Sequence, residues 1–157
     1  MIEPVTCIFP HSDKEFPILD ALRYFLSHTL PMPPAEGRYL FGKIGYKDKN
    51  FKDRVIPGTL VLFRKKGFIT SQAISKTMIK ELEPPEEGET ETGAKAIYYH
   101  EIFFVPKSIE VYPKALPIER LESLVGRRLD QRYYKIISTR KEYEERFGVK
   151  CEIHNHH

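Results

Sequence analysis

The side chains best suited to chemistry in this chain are cations and aromatic rings that share one stretch. Residues 38–80 hold eleven Lys and Arg against two acids, with Tyr39, Phe41, Tyr46, Phe51, Phe63 and Phe68 interleaved among them. Basic side chains bind a polyanion by displacing its condensed counterions. Aromatic faces stack on unpaired bases at about 1–3 kcal/mol each, so a stretch rich in both points to nucleic acid. One cluster is Lys47, Lys49, Lys52 and Arg54, and a second is Arg64, Lys65 and Lys66 at a hairpin turn. A third, Arg127, Arg128 and Arg132, follows a helix stop further on. All three are expected to hold phosphates, which position a ligand without specifying its sequence.

The rest of the chain offers little that could catalyse. It has no phosphate-binding glycine loop, no HExxH and no nucleophile elbow. His100 and Glu101 are neighbours, but consecutive residues of a strand point to opposite faces, which prevents them from acting as one acid–base unit. A small metal-dependent nuclease using His100, Glu101 or Asp53 stays open as an alternative. The His154-Asn155-His156-His157 tail is too short to build a ββα nuclease motif and reads as disordered or as a tag remnant. Cys7 and Cys151 are the only cysteines, giving neither a disulfide framework nor a zinc site, and no cofactor is called for.

The elements that must position these residues follow from periodicity and punctuation. A chain of 157 residues fits one domain. Phe16–Leu30 has near-helical apolar spacing and ends at the PMPP run. From Arg38 the pattern turns β-like: a first strand over 38–46, then Pro57-Gly58 leading into a hairpin of 59–64 and 68–75, then strands over 95–105 and 108–112. Between them ELEPPEEGETETG, with six acids and no base, reads as an exposed loop. Pro117 opens a helix that Gly126 stops, and Thr139 with Glu142 forms a capping box for a last helix reaching Phe147. The expected fold is α+β: a small curled mixed sheet or barrel of about five or six strands flanked by helices. Residues 1–37 would be an N-terminal helical segment, 38–147 the core and 148–157 a tail.

In this order, RYLFGKIGY, VIPGTLVLFRKKGFITSQAIS, YYHEIFFVPKSIEVYP, a helix and QRYY, the chain resembles the EVE and YTH branch of the PUA-like superfamily. Within it, the chain is most similar in kind to the N-terminal DNA-recognition domains of McrB-type modification-dependent restriction systems. The resemblance implies a non-enzymatic reader that flips a methylated base, N6-methyladenine foremost, out of duplex DNA into an aromatic cage, with motor and nuclease supplied by a partner. By position, Gly45-Tyr46-Lys47 would end the first strand of such a domain, and Ser71–Ser75 would wall its pocket. The family builds its cage around Trp; this chain has none, so Tyr or Phe takes that place.

For that cage the expected residues are Tyr46 and either Tyr98 or Tyr99, with Phe51 and Phe68 in reserve and Ser71 on the wall. Flipping costs a few kcal/mol of unstacking, offset by stacking and by hydrogen bonds to the base edge. An RNA-binding PUA-like module is the other reading from the same resemblance. Scarce Asn and Gln with abundant Lys, Arg and Glu match proteins of hot environments. No signal peptide or apolar span of about 20 residues is present, so a cytoplasmic location is expected.

Overall fold

The VTCIFPH run near the N-terminus is apolar on both faces instead of alternating, as expected of a strand covered on two sides. In the computed structural model, which describes residues 2–12, 15–16, 18–45, 49–90, 93–130 and 133–147, this run is strand β1 (Val5–His11). Helix α1 (Leu19–Tyr24) follows and continues as a π-helical turn, Phe25–Thr29. Next come β2 (Arg38–Phe41), a single helical turn α2 (Phe51–Arg54), and the hairpin of β3 (Leu60–Lys65) and β4 (Phe68–Ile74). The chain then forms β5 (Lys80–Glu89), β6 (Lys95–Phe103), β7 (Glu110–Pro117), α3 (Ile118–Val125), β8 (Lys135–Thr139) and α4 (Arg140–Phe147).

Five strands form a mixed sheet in the order β7-β4-β3-β1-β8, in which only β1 and β3 run parallel. The other three form an antiparallel sheet, β2-β6-β5. The sheets meet where Ser75 pairs with Phe104 and where Val105 N–H donates to the Ile74 carbonyl at 2.9 Å. Gly37 lies at the same seam with φ +85°, and a Cβ there would collide with the Phe104 carbonyl oxygen. Only glycine fits this close approach.

Successive residues of the five-stranded sheet feed two cores. Cys7, Phe9, Val61 and Phe63 point into one lined by Tyr39 and Phe41 of the smaller sheet, by Phe104 at the seam and by Leu22, Leu26 and Leu30. Ile8, Leu60 and Leu62 point the other way, against Ile118 and Leu121 of α3 and Tyr143 of α4. Phe9 is the hub of the first core, with six ring partners at 5.0–6.4 Å between centroids.

The architecture is α+β, as expected, with eight strands in two sheets among the described residues instead of five or six in one. Both C-terminal helix signals are realised. Gly126 takes φ +77°, and Thr139 Oγ1 accepts from Glu142 N–H at 3.1 Å. Two expectations are corrected. Residues 1–37 are not simply helical, because Val5–His11 pairs on both edges. The acidic segment is not a loop through residue 89: its backbone pairs with β6, and the register shift between Glu81 and Glu86 falls at Pro84-Pro85, whose missing N–H groups suit a bulge on an edge. The tail beyond Phe147 lies outside the described residues. No helix among the described residues is long and apolar enough to cross a membrane.

Candidate nucleic-acid interface

Helix α2 is one turn long, and its placement follows from two apolar residues at i, i+4. Phe51 and Val55 are fully buried. Lys52 and Arg54, two positions apart and so separated by roughly 200° around a helix, flare out on either side of that anchor. Arg54 lines a cavity of about 350 Å³ together with Arg127, Arg128, Asp130, Tyr133, Tyr134, Lys135 and Ile136. The cavity thus joins the basic stretch before β3 to the segment between α3 and β8. Among the described residues, four cations and one carboxylate surround it.

Tyr134 forms the floor. Its N–H donates to the Gly45 carbonyl at 3.0 Å, fixing the entry to β8 against the chain that leaves β2. Its ring stacks on Phe41 at 5.3 Å and meets Phe9 edge-on at 5.0 Å, a fixed platform continuous with the core. Burial, followed by the charge of Glu15, pushes its phenol well above the usual tyrosine range, so it stays a neutral hydroxyl. Tyr133 is half-buried beside it, with Lys135 Nζ 6.0 Å from its ring centre. Lys135 also donates to the Asp130 carbonyl, tying the cavity's rim together.

The expected site residues divide between this place and others. Arg54, Arg127 and Arg128 are exposed and converge here. Lys49 and Lys66 are exposed elsewhere, and Lys52 pairs with Glu81 on the far side of α2. Tyr46, Lys47 and Arg132 lie outside the described residues. Arg64 and Lys65 are corrections, since both are buried on β3. The Arg64 guanidinium donates to the carbonyls of Lys66 and Leu129, at 2.6 and 3.0 Å, and burial lowers its pKa despite nearby Glu122, Asp130 and Glu119.

Among the cage candidates, Phe51 is a core ring, because it anchors α2. Ser71 is fully buried, within 3.0 Å of Thr70 Oγ1. Phe68 is half exposed at the hairpin end of β4, opposite Pro117. Tyr98 packs over Gly88, whose added Cβ would lie 3.0 Å from its ring, and its hydroxyl donates to the Glu89 carbonyl at 3.4 Å. Tyr99 lines a second hollow, on the Lys52 side of α2. Sequence reasoning passed over Tyr133, Tyr134 and Lys135 as site residues. The signal was their position directly after a basic cluster.

The groups considered for a nuclease are held apart. His100 Nδ1 donates to the Gly42 carbonyl at 2.8 Å, while Glu101 accepts from Arg38 Nε at 2.5 Å. Asp53 is exposed on α2. Among the described residues no three His, Cys, Asp or Glu side chains are grouped to hold a metal ion.

What fold and site define together is an α+β domain with a cationic, tyrosine-floored cavity. No family model matches the chain, and comparison with curated proteins and with solved structures likewise finds no match.

Proposed function

We propose that the protein is a non-enzymatic reader of a modified base in DNA, of the PUA-like, EVE or YTH type. It would flip the base into the cavity beside Arg54, Arg127, Arg128, Tyr133 and Tyr134. One observation carries the reading: cations from two distant parts of the sequence meet around a rigid tyrosine platform. Arginine forks grip phosphates on either side of an extruded nucleotide. The ring face takes the base, and the volume, about 350 Å³, falls in the range of roughly 300–1,000 Å³ typical of small-ligand sites. In this reading a partner supplies the motor and nuclease of a modification-dependent restriction system.

The test is a binding screen of one duplex sequence carrying N6-methyladenine, 5-methylcytosine, 5-hydroxymethylcytosine or no modification, beside RNA of the same sequence. Preference for one modified duplex is expected. Equal affinity for all four duplexes overturns base reading, and tighter binding to the RNA favours an RNA-binding module. Replacing Arg127 and Arg128 together by Ala should weaken modified and unmodified duplexes alike. The slope of log affinity against log salt should fall by about two, near one per lost phosphate contact. A loss confined to the modified duplex would instead place these arginines on the base.

A further inference from the structure

Helix α2 presents cations to two hollows, and the second is built differently from the first. Lys43, Ile44, Lys52, Glu81, Pro85, Tyr99 and His100 are among the residues around a space of about 460 Å³ between α2 and β5. Among the described residues two lysines and two glutamates line it, so the hollow is balanced in charge, whereas the first has four cations and one acid. A balanced hollow is poor at holding phosphate and well suited to a neutral, planar ligand with donors and acceptors on its edge.

Its walls fit such a ligand. The Tyr99 ring is half-buried with Lys43 Nζ 5.5 Å from its centre. Ile44, Leu82 and Pro85 supply apolar surface. His100, next to Tyr99 in β6 and so directed to the opposite face, is only 8% exposed, and its ring stacks on Phe41 at 5.2 Å, which fixes the strand that carries Tyr99. The Lys52–Glu81 ion pair joins α2 to β5. Exposed ion pairs are weak, so this pair can part at little cost when a base enters the hollow.

We infer that this hollow is a second subsite, taking an unstacked nucleobase on the same nucleic acid as the base held beside Arg127, with the backbone crossing α2 between Lys52 and Arg54. The inference rests on the reader function proposed above and adds a second contacted nucleotide. The bound nucleic acid is therefore opened at two positions, one on each side of the Phe51 anchor.

Photocrosslinking of the unaltered protein tests it. In a series of duplexes with the modified base fixed, 5-iodouracil is moved one position at a time, and crosslinked residues are located by peptide mass spectrometry. One position should crosslink Tyr99 and a different one Tyr133 or Tyr134. Crosslinks at Tyr133 or Tyr134 with none at Tyr99 would overturn the second subsite and leave the reader function standing; crosslinks at none of the three would overturn both. As a second measurement, Tyr99→Ala should lower affinity roughly five- to hundredfold for duplexes extending past the modified base. The same variant should leave the shortest duplexes unaffected, and an equal loss at every length would overturn the subsite.

Discussion

All six residues of β3 are buried, while none of the ten of β5 is. The five-stranded sheet is covered on both faces and is held by apolar packing. The outer strand of the three-stranded sheet is held by backbone pairing and by charge: Arg38 binds both Glu86 and Glu101, and Lys52 binds Glu81. The contrast explains where a ligand can be accommodated. Burial fixes the platform of Phe9, Phe41 and Tyr134, whereas ion pairs at the surface hold the outer strand of the smaller sheet.

The largest test of this contrast is Phe9→Ala. Removing the ring that touches six others should cost about 3–5 kcal/mol of stability by chemical denaturation. A cost below about 1 kcal/mol would mean that the aromatic core is not what holds the larger sheet. Thr139→Ala removes the cap that joins β8 to α4 and should cost about 1 kcal/mol, read in the same way. Glu86→Gln, on the smaller sheet, should change stability by no more than about 1 kcal/mol and by less at high salt. A larger, salt-insensitive loss would erase the distinction between the sheets.

A pH scan gives the finest comparison. Burial would raise the Glu15 pKa, but hydrogen bonding and charge from His11, with help from Ser12, leave it below the ordinary carboxylate value. A carboxyl with a lowered folded pKa adds stability above its unfolded pKa and loses it as pH falls through the folded one. Wild type should therefore exceed Glu15→Gln at neutral pH, and the two curves should converge in acid. A constant gap down to strongly acidic pH would show that the Glu15 charge does not stabilise the fold.

Features set by short-range rules were readable in the sequence. The β3–β4 hairpin, the left-handed stop at Gly126 and the Thr139–Glu142 box each depend on a few adjacent residues. Strand β1 was not, because a short apolar run without alternation carries no period. Strand β5 was hidden by its prolines and charge, which a solvated edge tolerates. At the site, Arg127 and Arg128 were readable as cations, but their meeting with Arg54 is a tertiary fact that no local pattern announces. Nor does sequence alone separate an exposed Arg54 from a buried Arg64 when both stand in a basic run.

The parallel pairing of β1 bears on how quickly the molecule assembles. Cys7 faces Val61 on one side and Ile136 on the other, so this interior strand of the larger sheet is seated only after two distant parts of the chain have reached it. Closing such long loops costs chain entropy before any packing repays it, and folding rates fall as contacts become more remote in sequence. The protein should fold more slowly than a helical bundle of its length. Until Lys135–Thr139 arrives, one edge of β1 remains unpaired, the exposure through which partly folded chains associate.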